Sequence, residues 1–202
     1  MLIVRELLLG PLRFSELARC VGGAPTDILT RRLRDLEQDG IVRRRELDPP
    51  ASGTVYELTE VGAELEGTVL DLGRWGLSFY RVEDLPGLVT TSIANALRVI
   101  LRSPAEGEPI LLQIHSEGHS NWLRLGDASA SAGRGEATDP DLVLSGSAPD
   151  VIAAIVIGGE AEQQVGIEGD PAALLRLRAL VELPDRLRAE AEALNGVAPP
   201  LA

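Results

Sequence analysis

The chain has 202 residues, 45% of them hydrophobic and 25% charged, and its 31 acidic against 19 basic residues leave a formal net charge of −12. At that length and apolar fraction the chain can bury one large core or two small ones, and the single cysteine, Cys20, excludes an internal disulfide and any multi-cysteine metal site. The longest continuous apolar run, Val151 to Ile157, is far too short to span a bilayer. All the basic residues are arginine; residues 1–82 hold 11 Arg against 13 Asp and Glu, net −2, while residues 83–202 hold 8 against 18, net −10. An acidic protein can meet DNA only through a local basic patch, and six of the first 11 arginines fall between Arg31 and Arg45. With no charged leader ahead of a long apolar stretch, the expected location is the cytoplasm.

Taken in chain order, the first elements are helical. IVRELLLG at 3–10 lies on one helix; RFSELARC at 13–20 forms a second, whose apolar face includes Phe14, Leu17 and Val21, so Cys20 near its end reads as a small buried or half-buried hydrophobe. A third helix spans residues 26–38. Pro25 is tolerated just before or inside a first turn, and Thr26 is placed to cap the exposed amides there. Gly40 ends the helix, because only glycine enters the left-handed conformation without steric penalty. At about 100° per residue, Leu29, Leu33 and Leu36 stack on one face while Asp27, Arg31, Arg34 and Gln38 project from the other. A helix with that polar face suits a DNA major groove. Ile41 to Leu47 has strand character, Asp48 to Gly53 is turn-compatible throughout, and Thr54 to Leu58 returns as a second strand. Alternation sends Arg44 to the face opposite Arg43 and Arg45, and Asp39 or Glu46 is the expected ion-pair partner for one of the three. Thr59 caps a further helix with Glu60 in its first turn, running through Val61, Leu65, Val69 and Leu72 towards Trp75.

In this order and spacing, IVRELLLG at 3–10, RFSEL at 13–17, LTRRLRDLEQDGIVRR at 29–44, YELTEVG at 56–62 and RWG at 74–76 resemble the HxlR-type winged-helix transcriptional regulators. The resemblance implies a dimeric repressor on double-stranded DNA with an inverted-repeat operator, the 26–38 helix as recognition helix and the 41–58 hairpin as wing. It directs DNA contact to Thr26, Asp27, Thr30, Arg31, Arg34, Arg43, Arg44 and Arg45. Family members usually carry a further segment before the IVREL-like helix, often with the cysteine that redox-sensing members use. This chain is therefore expected to dimerise through the helix from Thr59 to Tyr80 or through its second domain. The wing tip, Asp48 to Gly53, has no Lys or Arg to reach a phosphate, which leaves wing contacts to Arg43, Arg44 and Arg45.

Beyond Val82 the character changes. Glu83 to Gly87 reads as a linker, and Leu88 to Leu101 has helical periodicity through Leu88, Ile93, Leu97 and Ile100. Strands are expected at 109–115, 120–125 and 128–133, with Trp122 on a different face from Leu123 and Leu125, as in an antiparallel meander covered on one side. A fourth strand is expected at 141–144, an apolar helix capped by Ser147 at 149–157, a fifth strand at 164–167, and a helix started by Asp170 and Pro171 at 172–181. Helices on one face of an antiparallel sheet make an α+β arrangement. DPDLVLSGSAPDVIAAIVIGG at 139–159 and VGIEGDPAALLRLRAL at 165–180 resemble the strand, serine-capped helix, strand and GD-initiated helix of the sterol-carrier-protein-like lipid-binding fold. That resemblance implies a tunnel for a lipophilic small molecule, lined here from Leu112, Ile114, Trp122, Val143, Val151, Ile155, Leu174 and Leu177; packed core is the other reading of the same residues.

His115 and His119 flank a His-Ser-Glu-Gly-His turn with only Glu117 as a third ligand, so they read as water-exposed turn residues rather than metal ligands. There is no nucleophile elbow, phosphate-cradling glycine loop or paired histidine–carboxylate set, and GGE at 158–160 and GD at 169–170 read as turns. No enzyme activity, cofactor or metal is expected. The whole reads as an α+β chain with a winged helix-turn-helix domain at 1–82 and a sterol-carrier-protein-like domain at 83–202. Its expected role is that of a homodimeric DNA-binding regulator whose second domain senses a lipophilic effector or stabilises the dimer, without membrane contact. The alternative is a lipid-binding carrier or oligomerisation protein whose winged helix serves protein contacts. The uncharged-to-acidic wing tip and net acidity favour that alternative, and DNA binding insensitive to salt would select it.

Overall fold

A computed structural model describes residues 1–23, 25–84, 92–103, 107–126 and 129–194. The chain forms two compact units, one built mainly of Met1–Asp71 and the other of the chain from Leu72 onward.

In the first unit the elements are α1 (Leu2–Leu7), β1 (Leu12–Arg13), α2 (Phe14–Cys20), α3 (Thr26–Gln38), β2 (Val42–Glu46), β3 (Thr54–Leu58), α4 (Glu60–Ala63) and α5 (Leu65–Leu77), the last running on into the second unit. Leu29 and Leu33, expected on one face of α3, are buried in a cluster with Ile3, Leu7, Leu12, Leu17, Val42 and Tyr56; Leu36 and Cys20 pack against it partly buried. The sheet has the order β1-β3-β2. β1 is only two residues long and leaves no periodicity to read; it is recognised by its antiparallel register, Leu12 opposite Tyr56. Gly40 has φ +70°, and the amides of Gly40 and Ile41 close back on the carbonyls of Glu37 and Leu36 at 3.1 and 2.9 Å. The left-handed glycine is the one the sequence called for, and its bonds make a Schellman end, with Leu36 and Ile41 both packed against the apolar cluster.

The junction between wing and following helix explains the YELTEVG string. The Thr59 hydroxyl donates to the Gly40 carbonyl at 2.6 Å and accepts from the Gly62 amide at 3.0 Å, while the Thr59 amide donates to the Ile41 carbonyl at 3.0 Å. One residue thus caps α4 and ties it to the end of α3.

The second unit holds α6 (Ile93–Ile100), β4 (Ile110–Ser116), β5 (His119–Gly126), β6 (Ser129–Arg134), β7 (Leu142–Ser145), α7 (Ala148–Val156), a 3-10 turn (Gly159–Gln164), β8 (Gly166–Gly169), α8 (Pro171–Ala179) and α9 (Asp185–Leu194). Ser147 caps α7 by accepting from the Asp150 amide, and Asp170 caps α8 by accepting from the Ala172 amide, as their sequence positions required. The expected helical start at Leu88 lies outside the described residues. Leu77 and Val82 are buried in this unit's core, so the second core begins before the domain break expected after Val82.

The five strands are ordered β6-β5-β4-β7-β8. Three of the four neighbouring pairs are antiparallel, and in the fourth β7 runs parallel to β4, with Leu112 beside Leu142 and Ile114 beside Leu144. The sheet is therefore mixed. β6 and β4 run the same way, so a parallel β7 requires residues 135–141 to cross back over β5 and β4. That crossing is pinned to Gln113, whose amide oxygen accepts from the Ala137 amide at 2.7 Å and whose nitrogen donates to the Gly135 carbonyl at 3.3 Å. Only 2% of Gln113 is exposed, and these bonds satisfy a polar side chain that burial would otherwise penalise. The opposite face of the sheet carries Leu112, Ile114, Leu123, Leu125, Leu142 and Leu144 into one core with the helices. Helices on one face and a crossing segment on the other give the α+β arrangement its two sides.

Candidate nucleic-acid interface

α3 begins at Thr26, with Pro25 as its cap residue and no side chain capping the first turn. The capping role expected of Thr26 is thus not filled: as the first helical residue it offers its carbonyl, which accepts the Thr30 hydroxyl at 2.7 Å. Thr30 has committed its proton and is left with an oxygen that accepts. Asp27 stands exposed in the first turn, where a negative charge complements the helix dipole.

Arg31 and Arg34 are exposed on the face opposite Leu29 and Leu33, and neither is ion-paired or hydrogen-bonded to any described residue. Their neighbour Arg32 differs, lying 3.7 Å from Asp35. Three residues apart on a helix, Arg31 and Arg34 are side by side. They present two guanidinium forks, each with the donor geometry that matches the O6 and N7 acceptors of guanine in a major groove.

The wing arginines are arranged otherwise. The β2–β3 register puts Arg43 opposite Glu57, Arg44 opposite Tyr56 and Arg45 opposite Val55. Arg43 and Arg45 share a face and each donates from Nε to one oxygen of Glu57, at 2.8 Å. On the other face Arg44 Nε lies 2.8 Å from a Glu37 oxygen at the end of α3, and its guanidinium sits 5.2 Å from the centre of the Tyr56 ring. The partners are Glu57 and Glu37, not the expected Asp39 or Glu46. Glu46 is opposite Thr54 and accepts its hydroxyl at 3.0 Å, which turns it away from the arginines.

The Arg45 guanidinium, joined by that of Arg43, holds the Glu57 carboxyl below the ordinary carboxylate range against the opposing effect of burial. Its folded value is depressed, so its contribution to hairpin stability is complete above the unfolded carboxylate value and is lost as pH falls through the folded one. Glu57 and Glu37 carried a signal in the sequence, namely the hairpin register, but one residue of slip in placing the turn would have moved every side chain to the other face.

The lining set proposed for a lipophile does not converge on one surface. Leu112, Ile114, Val151, Ile155, Leu174 and Leu177 are buried together in the core between sheet and helices. Trp122 and Val143 lie on the other face, each directly across from Gln113. The Trp122 ring rests on Gly133, where a Cβ would come within 2.7 Å of it. His115 is half-buried, with Nδ1 3.1 Å from the Ser120 hydroxyl and Nε2 3.8 Å from Glu136, while His119 is exposed. Among the described residues no three His, Cys, Asp or Glu side chains are grouped as a metal site would need, and no helix is long and apolar enough to cross a membrane.

Comparison with known proteins bears on the first unit. The family described as HxlR-like helix-turn-helix matches residues 1–84. Over 78 residues the chain is 33% identical to the HTH-type transcriptional regulator YodB of Bacillus subtilis (strain 168), covering 39% of this chain and 70% of that protein. The reduced form of YodB aligns in structure with a TM-score of 0.36 at 33% identity, over 39% of this chain and 76% of that one. Sterol Carrier Protein 2 Like 2 from Aedes aegypti aligns with a TM-score of 0.29 at 10% identity, over 59% of this chain and all of that one.

Proposed function

The chain belongs to the HxlR-like helix-turn-helix family, and from that premise we propose that it acts as a homodimer placing two copies of α3 into successive major grooves of an inverted-repeat operator. It is a DNA-binding transcriptional regulator. The observation that carries the geometric part is the contrast among its arginines: Arg31 and Arg34 stand exposed and unpaired among the described residues, whereas all three wing arginines are anchored by carboxylates. Two grooves on one side of the duplex lie about 34 Å apart, so a two-fold dimer reads two half-sites with that spacing. Arg31 and Arg34 read bases, Thr30 accepts from them, and the wing arginines meet phosphates. Binding through several arginines releases counterions, so affinity for a duplex selected from a random-sequence pool is expected to fall steeply as salt rises. Binding that ignored salt would sink the reading and favour a carrier or protein-contact role.

The dimer surface we propose is on the last turns of α5 and just beyond. The chain has only two each of Trp, Tyr and Phe, yet Trp75 and Phe79 are 63% and 69% exposed, with Leu72 beside them at 49%. The two rings meet edge to face with centroids 4.9 Å apart. Aromatic residues left in water this way are the usual anchors of an interface; Leu72 and Trp75 share one face of α5, and Phe79, in the turn that follows, brings its ring against that of Trp75. Native mass spectrometry of W75A/F79A is expected to show a monomer at concentrations where the parent is a dimer. An unchanged mass would move the interface elsewhere.

For the second unit we propose the role of dimer platform ahead of that of lipophile sensor. The residues assigned to a tunnel are split by the sheet, with six of the eight closed into its core, whereas Leu72, Trp75 and Phe79 belong to this unit and face water. An acyl-chain adduct retained by the parent in the same mass spectra would reverse that order.

A further inference from the structure

Glu57 is an acidic residue set between two arginines of the wing. Its side chain is 12% exposed between two arginines that are themselves 63% and 44% exposed, and its two oxygens are divided between them. Both hydrogen bonds come from Nε, so neither arginine uses its terminal amino groups to hold the carboxylate. Four donors on each guanidinium remain for a further acceptor.

We infer that Glu57 is a positioning residue for DNA binding, a single carboxylate that holds Arg43 and Arg45 side by side as a two-armed phosphate clamp. The inference rests on the reading that the wing meets the DNA backbone. Two physical effects follow from one side chain. Free arginines lose rotamer freedom when they dock on a phosphate, and arginines already held at Nε lose less. The carboxylate also cancels one of the two positive charges, which weakens attraction to any phosphate that does not fit the clamp. Glu57 therefore trades sequence-independent attraction for a fixed geometry, and it raises the ratio of selected-site to unrelated-site affinity. Held below the ordinary carboxylate range by the Arg45 and Arg43 guanidiniums, the carboxyl stays charged to lower pH than a free glutamate does.

The test uses the full chain with two duplexes, one selected from a random pool by the parent and one of unrelated sequence, each titrated across a salt series. Glu57→Gln removes the charge: affinity for the unrelated duplex is expected to rise roughly 3- to 10-fold, the salt slope to steepen by up to about one, and the selectivity ratio to fall. Glu57→Asp keeps the charge but is one methylene too short to bridge both guanidiniums. It is expected to weaken the selected duplex several-fold with no change in salt slope, a separation that general damage to the fold would not produce. In a variant with Arg43→Ala and Arg45→Ala, neither change at position 57 should alter the selectivity ratio, although Glu57→Gln still removes a charge that repels every duplex alike. An unaltered selectivity ratio in both single variants, or a change in that ratio that persists without the two arginines, overturns the inference alone. A parent that binds neither duplex overturns the DNA reading and this inference with it.

Discussion

Alanine in place of both Arg31 and Arg34 is expected to weaken binding to the selected operator by on the order of 2–6 kcal/mol, at about 1–3 kcal/mol for each arginine. The size follows from what the structure leaves undone. Neither side chain is held by another described residue, so neither must break an ion pair before it meets a base, and α3 is stiffened behind them by buried Leu29 and Leu33. A guanidinium paired with guanine through both O6 and N7 makes two charge-assisted bonds out of bulk water, which is where arginine discriminates most. Base readers and phosphate contacts also separate in the salt series. If the two arginines read bases, each single variant relaxes the sequence preference at one position and leaves the salt slope nearly alone. If they lie on phosphates, each lowers the slope by about one and weakens all sequences alike. Single variants that bind the selected operator as tightly as the parent would show that α3 does not read it.

Gly62→Ala is expected to cost the first unit about 3 kcal/mol, a large effect for one added methyl group. Gly62 lies in the first turns after the wing with an ordinary helical backbone, so the cost is not conformational. A Cβ there would stand 2.1 Å from the carbonyl oxygen of Ile41, 3.0 Å from its carbonyl carbon and 3.3 Å from its side chain. That oxygen already accepts the Thr59 amide at 3.0 Å, so it cannot retreat without breaking the bond that seats α4 against the end of α3. Thermal unfolding should show the first unit melting roughly 10–20 °C lower, given the size of the unit. DNA binding should fall in step, because the contact that yields is the one seating α4 against the end of α3. Val61→Ala is the control: Val61 is exposed and its truncation should change stability by no more than about 0.5 kcal/mol. A melting point for Gly62→Ala equal to that of the control would mean that the junction is looser than its hydrogen bonds imply.

Both predictions touch residues that the sequence singled out, though it explained only one of them. The polar face of α3 was legible because leucines at 29, 33 and 36 leave Asp27, Arg31, Arg34 and Gln38 no other side to occupy. The left-handed turn at Gly40 and the caps at Thr59, Ser147 and Asp170 were legible for a related reason: each is chemistry between groups within four residues of one another. Gly62 was visible only as a letter in the YELTEVG string. Its purpose lies 21 residues upstream, at a carbonyl that reaches it only when the hairpin closes.

The same distinction runs through the candidate interface. That arginines crowd between 31 and 45 is a fact of the chain; that Arg31 and Arg34 are unpaired among the described residues while Arg43, Arg44 and Arg45 are held by Glu57 and Glu37 is a fact of pairing. In the second unit, alternation correctly separated Trp122 from Leu123 and Leu125. Only the sheet order, with β7 parallel to β4 and residues 135–141 crossing behind, put Trp122 and Val143 on the side away from the core. By itself the sequence determined the buried stripe and polar face of α3, the caps at Thr59, Ser147 and Asp170 and the acidic balance of the second half, because those depend on spacing along the chain. The tertiary structure decided which arginines are held by carboxylates, why residue 62 is glycine and which side of the sheet each apolar residue faces. Those outcomes depend on which strand lies beside which and in what register, and a shift of one residue would reverse them.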